Sequence, residues 1–188
     1  SFDICIRGDG VVGRSLALAL SRQGLRVALQ TESGLVTRPT DVRAYALNAG
    51  SVALLQRLKV WEAIAAAKRT AVYDMAVMGD NNAALHFSSW QQAVRELAFI
   101  VDAAALEAEL GAALRYAPHV AMLGPDAHDL QAGLLVLAEG RDSAGRQALG
   151  VRFDKHDYGQ RAIAARLATD LPHEGVARQW FRADGVLA

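Results

Sequence analysis

The chain of 188 residues contains a single cysteine, Cys5. One thiol cannot form an intrachain disulfide, so no cross-link framework organises this fold. Cys5 lies inside an apolar run, which makes it a small buried hydrophobe rather than a nucleophile. Such sparing use of cysteine is compatible with a reducing, cytoplasmic setting. Net charge is absent as well, because 20 basic and 20 acidic residues cancel. A neutral chain offers no electrostatic footprint for nucleic acid or another polyanion. No apolar stretch reaches the length of a membrane span. The longest helical region, residues 44–67, is interrupted by Gln56, Arg57, Lys59 and Glu62. The apolar run between Asp3 and Arg7 is too short for a secretory signal. Attachment at a membrane surface stays open. The five histidines lack the close pairing of a metal-ligand set. No Ser-His-Asp or Cys-His arrangement is evident, and there is no internal repeat or low-complexity tract.

What is present is apolar residues, 52% of the chain, and glycines at telling positions. A globule of this size buries roughly 70% of its unfolded surface, so the length suits one domain or parts of two. Phe2-Asp3-Ile4-Cys5-Ile6 leads into Gly8-Asp9-Gly10-Val11-Val12-Gly13 and then into a helical pattern. Strand, G-x-G-x-x-G turn and helix form the arrangement that sets a dinucleotide pyrophosphate on a helix N-terminus. Gly8 turns the chain out of the strand, Gly10 lets amides approach a phosphate, and Gly13 allows close packing of the helix. The helix reads Val12, Leu16 and Leu20 on one face, with Gly24 at its end. A βαβ unit with no ligand is the alternative. A ribose-binding acid belongs at the end of the second strand, where this chain has Gln30. Gln30 can still bond a hydroxyl, as a neutral amide. Glu32 substitutes only if its loop folds back.

Further along, residues 31–43 read as a loop and Leu47 to Leu58 as a helix capped by Asn48. Val72 to Met78 alternates as a strand, followed by a turn at 79–82 and a short return strand at Leu85–Phe87. Leu97–Val101 reads as a strand and Asp102 as the cap of a helix over Ala103–Leu114. His119–Leu123 reads as a strand. Leu134–Ala138 reads as a strand buried on both faces, closed by Glu139-Gly140. Ala162–Thr169 and Ala177–Phe181 read as two more strands. The expected class is α/β: a Rossmann-like domain over 1–70 and 97–150, with part of a second, mainly β domain over 71–96 and 151–188.

Three segments are more specific than the glycines. They are Asp41-Val42-Arg43-Ala44-Tyr45-Ala46-Leu47-Asn48, running into 54–61; Leu134 through Ser143, with Arg146; and Asp157-Tyr158-Gly159-Gln160, with Pro172-His173 and Gln179-Trp180-Phe181. In this order they resemble the FAD-dependent ubiquinone-biosynthesis hydroxylases, relatives of 4-hydroxybenzoate hydroxylase, over nearly the whole chain.

The resemblance implies an FAD monooxygenase that hydroxylates an aromatic ring, a ubiquinone precursor, with NAD(P)H as reductant and O₂ as the oxygen source. It implies an FAD site formed by Gly8, Gly10, Val11, Val12, Gly13, Gln30, Arg43, Glu139 and Gly140, and it leaves the catalytic residues unknown. Arg43 would lie beside the flavin end; a loop salt bridge is the alternative. Glu139 stands where the family has aspartate; an ordinary strand-end carboxylate is the alternative. Tyr158, Gly159 and Gln160 would open the substrate-domain sheet, and His173 would be an exposed loop residue. Between Ala117 and Leu134 the family's hairpin would be contracted, and its third, Gly-Asp motif would lie outside this chain. A non-catalytic flavin-fold accessory or scaffold of a biosynthetic complex, with peripheral membrane or complex association, is the rival reading. A nicotinamide-only dehydrogenase fits the first thirty residues but not Asp41–Asn48 or the Tyr158 segment.

Overall fold

The fold is that of a computed structural model, which describes residues 1–31, 41–127 and 130–188. Glu32 and His128 lie outside the described residues. β1 (Phe2–Arg7) runs into α1 (Val11–Ser21) and then β2 (Val27–Gln30). β1 and β2 pair in parallel with Ile4 opposite Val27 and Arg7 opposite Gln30. Ile6, Val27, Ala28 and Leu29 are sealed from solvent, as expected of strands covered on both faces. Cys5 is buried beside them, and burial pushes its thiol up from its ordinary value, against a smaller opposing effect of Arg7. The sulfur is therefore held protonated, as a small hydrophobe would require.

α1 departs from the expected face. Val12 is 70% exposed, while Gly13, Ala17, Leu18 and Ser21 are buried. The helix seats its small residues on the sheet and leaves its first turn open. Leu16 and Leu20 still pack against the core. Gly24 takes φ +80 after the helix and donates to the Ser21 carbonyl, which makes it part of the stop.

Five short strands follow, divided between two further sheets. β3 (Ala44–Leu47) precedes α2 (Ala49–Arg57), whose Asn48 cap accepts from the Ser51 amide at 2.8 Å. Two 3-10 turns, Trp61–Ala63 and Ala66–Lys68, follow. The expected strand 72–78 is two strands. β4 (Arg69–Val72) pairs in one sheet and β5 (Asp74–Met78) in another, with the switch at Tyr73. β5 returns through β6 (Ala84–Ser88). β7 (Ala98–Asp102) lies between β3 and β4, antiparallel to both. So residues 44–47, which read as helix in sequence, are a strand held by β7.

α3 (Ala103–Leu114) buries Leu106, Leu110 and Leu114, as their spacing of four predicts. β8 (Val120–Leu123) joins the outer side of β2. β9 (Ala132–Leu137) joins β1 from the other side. The parallel sheet thus runs β8-β2-β1-β9. β8 and β9 are parallel and sit at opposite edges, so 119–133 is not a hairpin. β9 is not buried on both faces either: Leu134 is 55% and Leu135 44% exposed, because the strand lies at the sheet edge.

α4 (Ala144–Ala148) is capped by Ser143. No strand forms over 162–169, where the chain is irregular and Ile163 is 93% exposed. Tyr158 likewise opens no sheet; Asp157 accepts from the Gly159 amide and closes a local turn. β10 (Val176–Arg182) pairs with β5 in parallel, and β11 (Gly185–Leu187) folds back on β10.

Asp102 ties several elements together. It caps α3 through the Ala105 amide and pairs with Lys68 at 3.3 Å and Arg166 at 2.8 Å. Burial opposes its charge, but the Ala105 amide, Arg166 and Lys68 outweigh burial and hold its carboxyl below the usual range. A depressed folded-state value stabilises the fold above the unfolded carboxyl range and is lost as pH falls through the folded-state value. Asp102→Ala is expected to cost about 2 kcal/mol at pH 7 in urea denaturation. The same comparison at pH 2–3 should show a smaller cost.

Candidate functional site

The site forms where β1, α1 and β9 meet. Gly8 has φ +101, and a Cβ there would lie 2.4 Å from the Ala138 carbonyl oxygen. A Cβ on Gly13 would lie 1.9 Å from the Gly8 carbonyl oxygen. Neither position accepts a side chain. Two main-chain bonds hold the turn: Gly8 donates to Gln30 at 2.9 Å and Ala138 donates to Arg7 at 2.7 Å. Gly10 differs. Its backbone is extended, and a Cβ on it would meet nothing within 4 Å. The space beyond Gly10 is open, as a cradle for a ligand requires.

The start of α1 is chemically bare. Gly10 is its N-cap with no side-chain hydrogen bond, and the first turn carries no acid. Intrahelical geometry leaves the amides of Val11, Val12 and Gly13 without helical partners. Together with the helix dipole they favour an anion. The opening at Gly10 and these amides fit the pyrophosphate of FAD.

A cleft of about 480 Å³ lies across the carboxyl ends of the strands, lined by Arg7, Gln30, Thr31, Pro125, Glu139 and Asp142 among others. Ligands of open parallel sheets bind at such ends. Gln30 ends β2 as expected and is buried. Its Nε2 donates to the carbonyls of Ala127 at 2.9 Å and Pro125 at 3.2 Å. Its Oε1 is buried with no partner among the described residues.

Glu139 lines the same cleft, but its carboxylate accepts from the Ser143 hydroxyl and from the Gly145 amide at 2.8 Å. It serves the loop that leads into α4. Gly140, beside it, takes φ +78 and is exposed.

Arg43 is held by Asp41, with the shortest contact at 2.6 Å, and by Glu107 at 3.5 Å. The Asp41 hydrogen bonds raise its already high value, so it is a permanent cation. Glu107 connects it to the glycine turn. The Glu107 carbonyl accepts from Arg14 at 2.8 Å, and Arg14 also bonds the Asp9 carbonyl and carboxylate. The glycine turn, Gln30, Glu139 and Gly140 therefore come together directly, while Arg43 is joined to them through α3. His173 accepts from the Gly175 amide and shapes a turn. No group of three or more metal-ligating side chains occurs among the described residues.

Sequence reasoning missed Arg7 and the 125–127 loop as parts of the cleft. A charged residue at a strand end, directly before the glycine turn, was the available signal for Arg7. Nothing local marks 125–127, since Gln30 reaches it across more than ninety residues of chain.

No family model matches the chain. Curated relatives do. The ubiquinone hydroxylase UbiL of Rhodospirillum rubrum is 25% identical over 207 residues, 99% of this chain and 48% of that protein. The 3-demethoxyubiquinol 3-hydroxylase of Escherichia coli is 26% identical over 97% of this chain and 52% of its own length. By sequence, this chain is similar to ubiquinone hydroxylases. It spans about half the length of the curated relatives it matches. Solved structures agree on the fold. PqsL of Pseudomonas aeruginosa in complex with 2-aminobenzoylacetate matches with TM-score 0.67 at 20% identity, over 84% of this chain and 48% of that one. The p-nitrophenol 4-monooxygenase PnpA of Pseudomonas putida matches with TM-score 0.65 at 20% identity, over 81% and 44%.

The two kinds of glycine give opposite expectations. Gly13→Ala is expected to lower stability by about 3 kcal/mol through overpacking, read by urea denaturation. Gly10→Val should change stability by less than about 1 kcal/mol, because its backbone suits any residue. It should nonetheless weaken FAD binding at least ~10-fold by filling the cradle and displacing charge-assisted amide contacts.

Proposed function

We propose that this chain binds FAD and serves hydroxylation of an aromatic ring, with a ubiquinone precursor as substrate class. The observation that carries this reading is the glycine turn, closed to side chains at Gly8 and Gly13 and open at Gly10. The whole-chain likeness to ubiquinone hydroxylases supports it. When bound, FAD supplies the redox chemistry that couples NAD(P)H and O₂ to ring hydroxylation.

The chain's own residues bind and orient. The amides of Val11, Val12 and Gly13 hold the pyrophosphate, Gln30 accepts from a ribose hydroxyl, and Gly140 allows close approach beside Glu139. Arg43 supplies fixed positive charge on the flavin side, anchored by Asp41 and Glu107. Among the described residues no helix is long and apolar enough to cross a membrane. We place the protein in the cytoplasm, with attachment at a membrane surface as its route to a polyprenylated substrate. Co-sedimentation with lipid vesicles checks this.

One observation favours a second reading, a non-catalytic flavin-fold accessory of a biosynthetic complex. The Glu139 carboxylate is occupied by Ser143 and Gly145, which removes one polar group from cofactor binding. Titration of the chain with FAD, followed by flavin fluorescence and gel filtration, separates the cases. Saturable binding lost in Gly10→Val supports the FAD site. A chain that stays colourless after excess FAD counts against both readings. Bound FAD without NAD(P)H oxidation, alongside co-purifying biosynthetic enzymes, selects the accessory role.

A further inference from the structure

The cleft at the strand ends has an unusual charge distribution for a ribose site. An acid at the end of β2 bonds the ribose 2′-hydroxyl and repels a phosphate at that position. Here that residue is Gln30, a neutral amide. Its side chain is buried, its Nε2 is committed to Pro125 and Ala127, and its Oε1 lacks a partner among the described residues. The Oε1 is an acceptor in want of a donor.

Directly opposite Gln30 in the strand register stands Arg7. Its side chain lines the cleft and makes no hydrogen bond or ion pair among the described residues. The other charges of the cleft are engaged. Glu139 accepts from Ser143 and Gly145, while Asp142 pairs with Lys155 at 2.5 Å and Arg141 at 3.8 Å. Among the described residues, the free side-chain chemistry of the cleft is therefore one guanidinium and one amide oxygen.

We propose that Arg7 and Gln30 make this cleft accept a ribose bearing a 2′-phosphate, so that the site does not select against phosphorylated adenine nucleotides. Gln30 carries no charge to repel the phosphate, and the Arg7 guanidinium offers it a fork of donors. Gln30 Oε1 takes the remaining ribose hydroxyl as donor. This rests on the dinucleotide site proposed above, and concerns its selectivity alone.

Calorimetric titration of the full chain with ADP and with adenosine 2′,5′-bisphosphate tests it, alongside FAD. The bisphosphate should bind at least as tightly as ADP. Arg7→Gln, an exposed position that leaves the fold intact by circular dichroism, should weaken the bisphosphate ~10-fold and ADP less. Gln30→Glu should reverse the preference, with ADP favoured by about 10-fold or more. Tighter ADP than bisphosphate binding by the unaltered chain overturns the proposal, as does a preference unmoved by Arg7→Gln. If FAD binds in those cases, only the selectivity has failed. If no nucleotide binds, the dinucleotide site fails with it.

Discussion

The close approach of three backbone segments at Gly8, Gly13 and Ala138 sets the geometry of everything around it. A side chain at either glycine would collide with main-chain atoms rather than with a yielding side chain. The chain must therefore leave β1, enter α1 and pass β9 within van der Waals limits. That contact places the bare start of α1 over the carboxyl ends of β1 and β2. Gly10, between the two closed positions, faces open space.

α3 carries this local geometry outward. Its buried Leu106, Leu110 and Leu114 fix it in the core, and its exposed edge supplies Glu107. Through one residue the helix takes the Arg14 guanidinium on its carbonyl and Arg43 on its carboxylate. At its start, Asp102 draws in Lys68 and Arg166. Arg166 belongs to an irregular segment, and this ion pair ties residues near 166 to the start of α3. Trp61 plays a similar part in the core, meeting Phe99 edge-on at 4.9 Å and lying under the Arg69 guanidinium.

What was legible in the sequence was what local chemistry determines. The glycine turn, the Asn48 and Asp102 caps and the leucine spacing of α3 each act within one turn of helix. The misreadings came from partners distant in sequence. Ala44–Leu47 has alanines enough for a helix, and only pairing with β7 makes it a strand. Val72–Met78 alternates without a break, yet Tyr73 is where the chain exchanges one sheet for another. Leu134–Leu137 has the composition of a central strand and lies at an edge. Apolar content in 162–169 suggested a strand, but no neighbour supplies the ladder. Of the site, the residues that need a backbone shape were visible, while the engagement of Glu139 and the exposure of Arg7 depend on contacts made by the fold.

These contacts decide which groups remain to recognise a ligand. A carboxylate already accepting from a hydroxyl and an amide would have to break both bonds to serve a cofactor, and each charged hydrogen bond is worth more than a neutral one. Glu139 is thus spent on shaping its loop. Gln30 is half spent, its amide nitrogen fixed and its oxygen left over. The main-chain amides of α1 are unspent, because a helix cannot satisfy its own first turn. What the described residues of this cleft leave available to a ligand is fixed backbone donors, one guanidinium and one neutral acceptor. That set favours phosphate and sugar over any cationic ligand, and among the described residues no acidic side chain of the cleft is free to contribute.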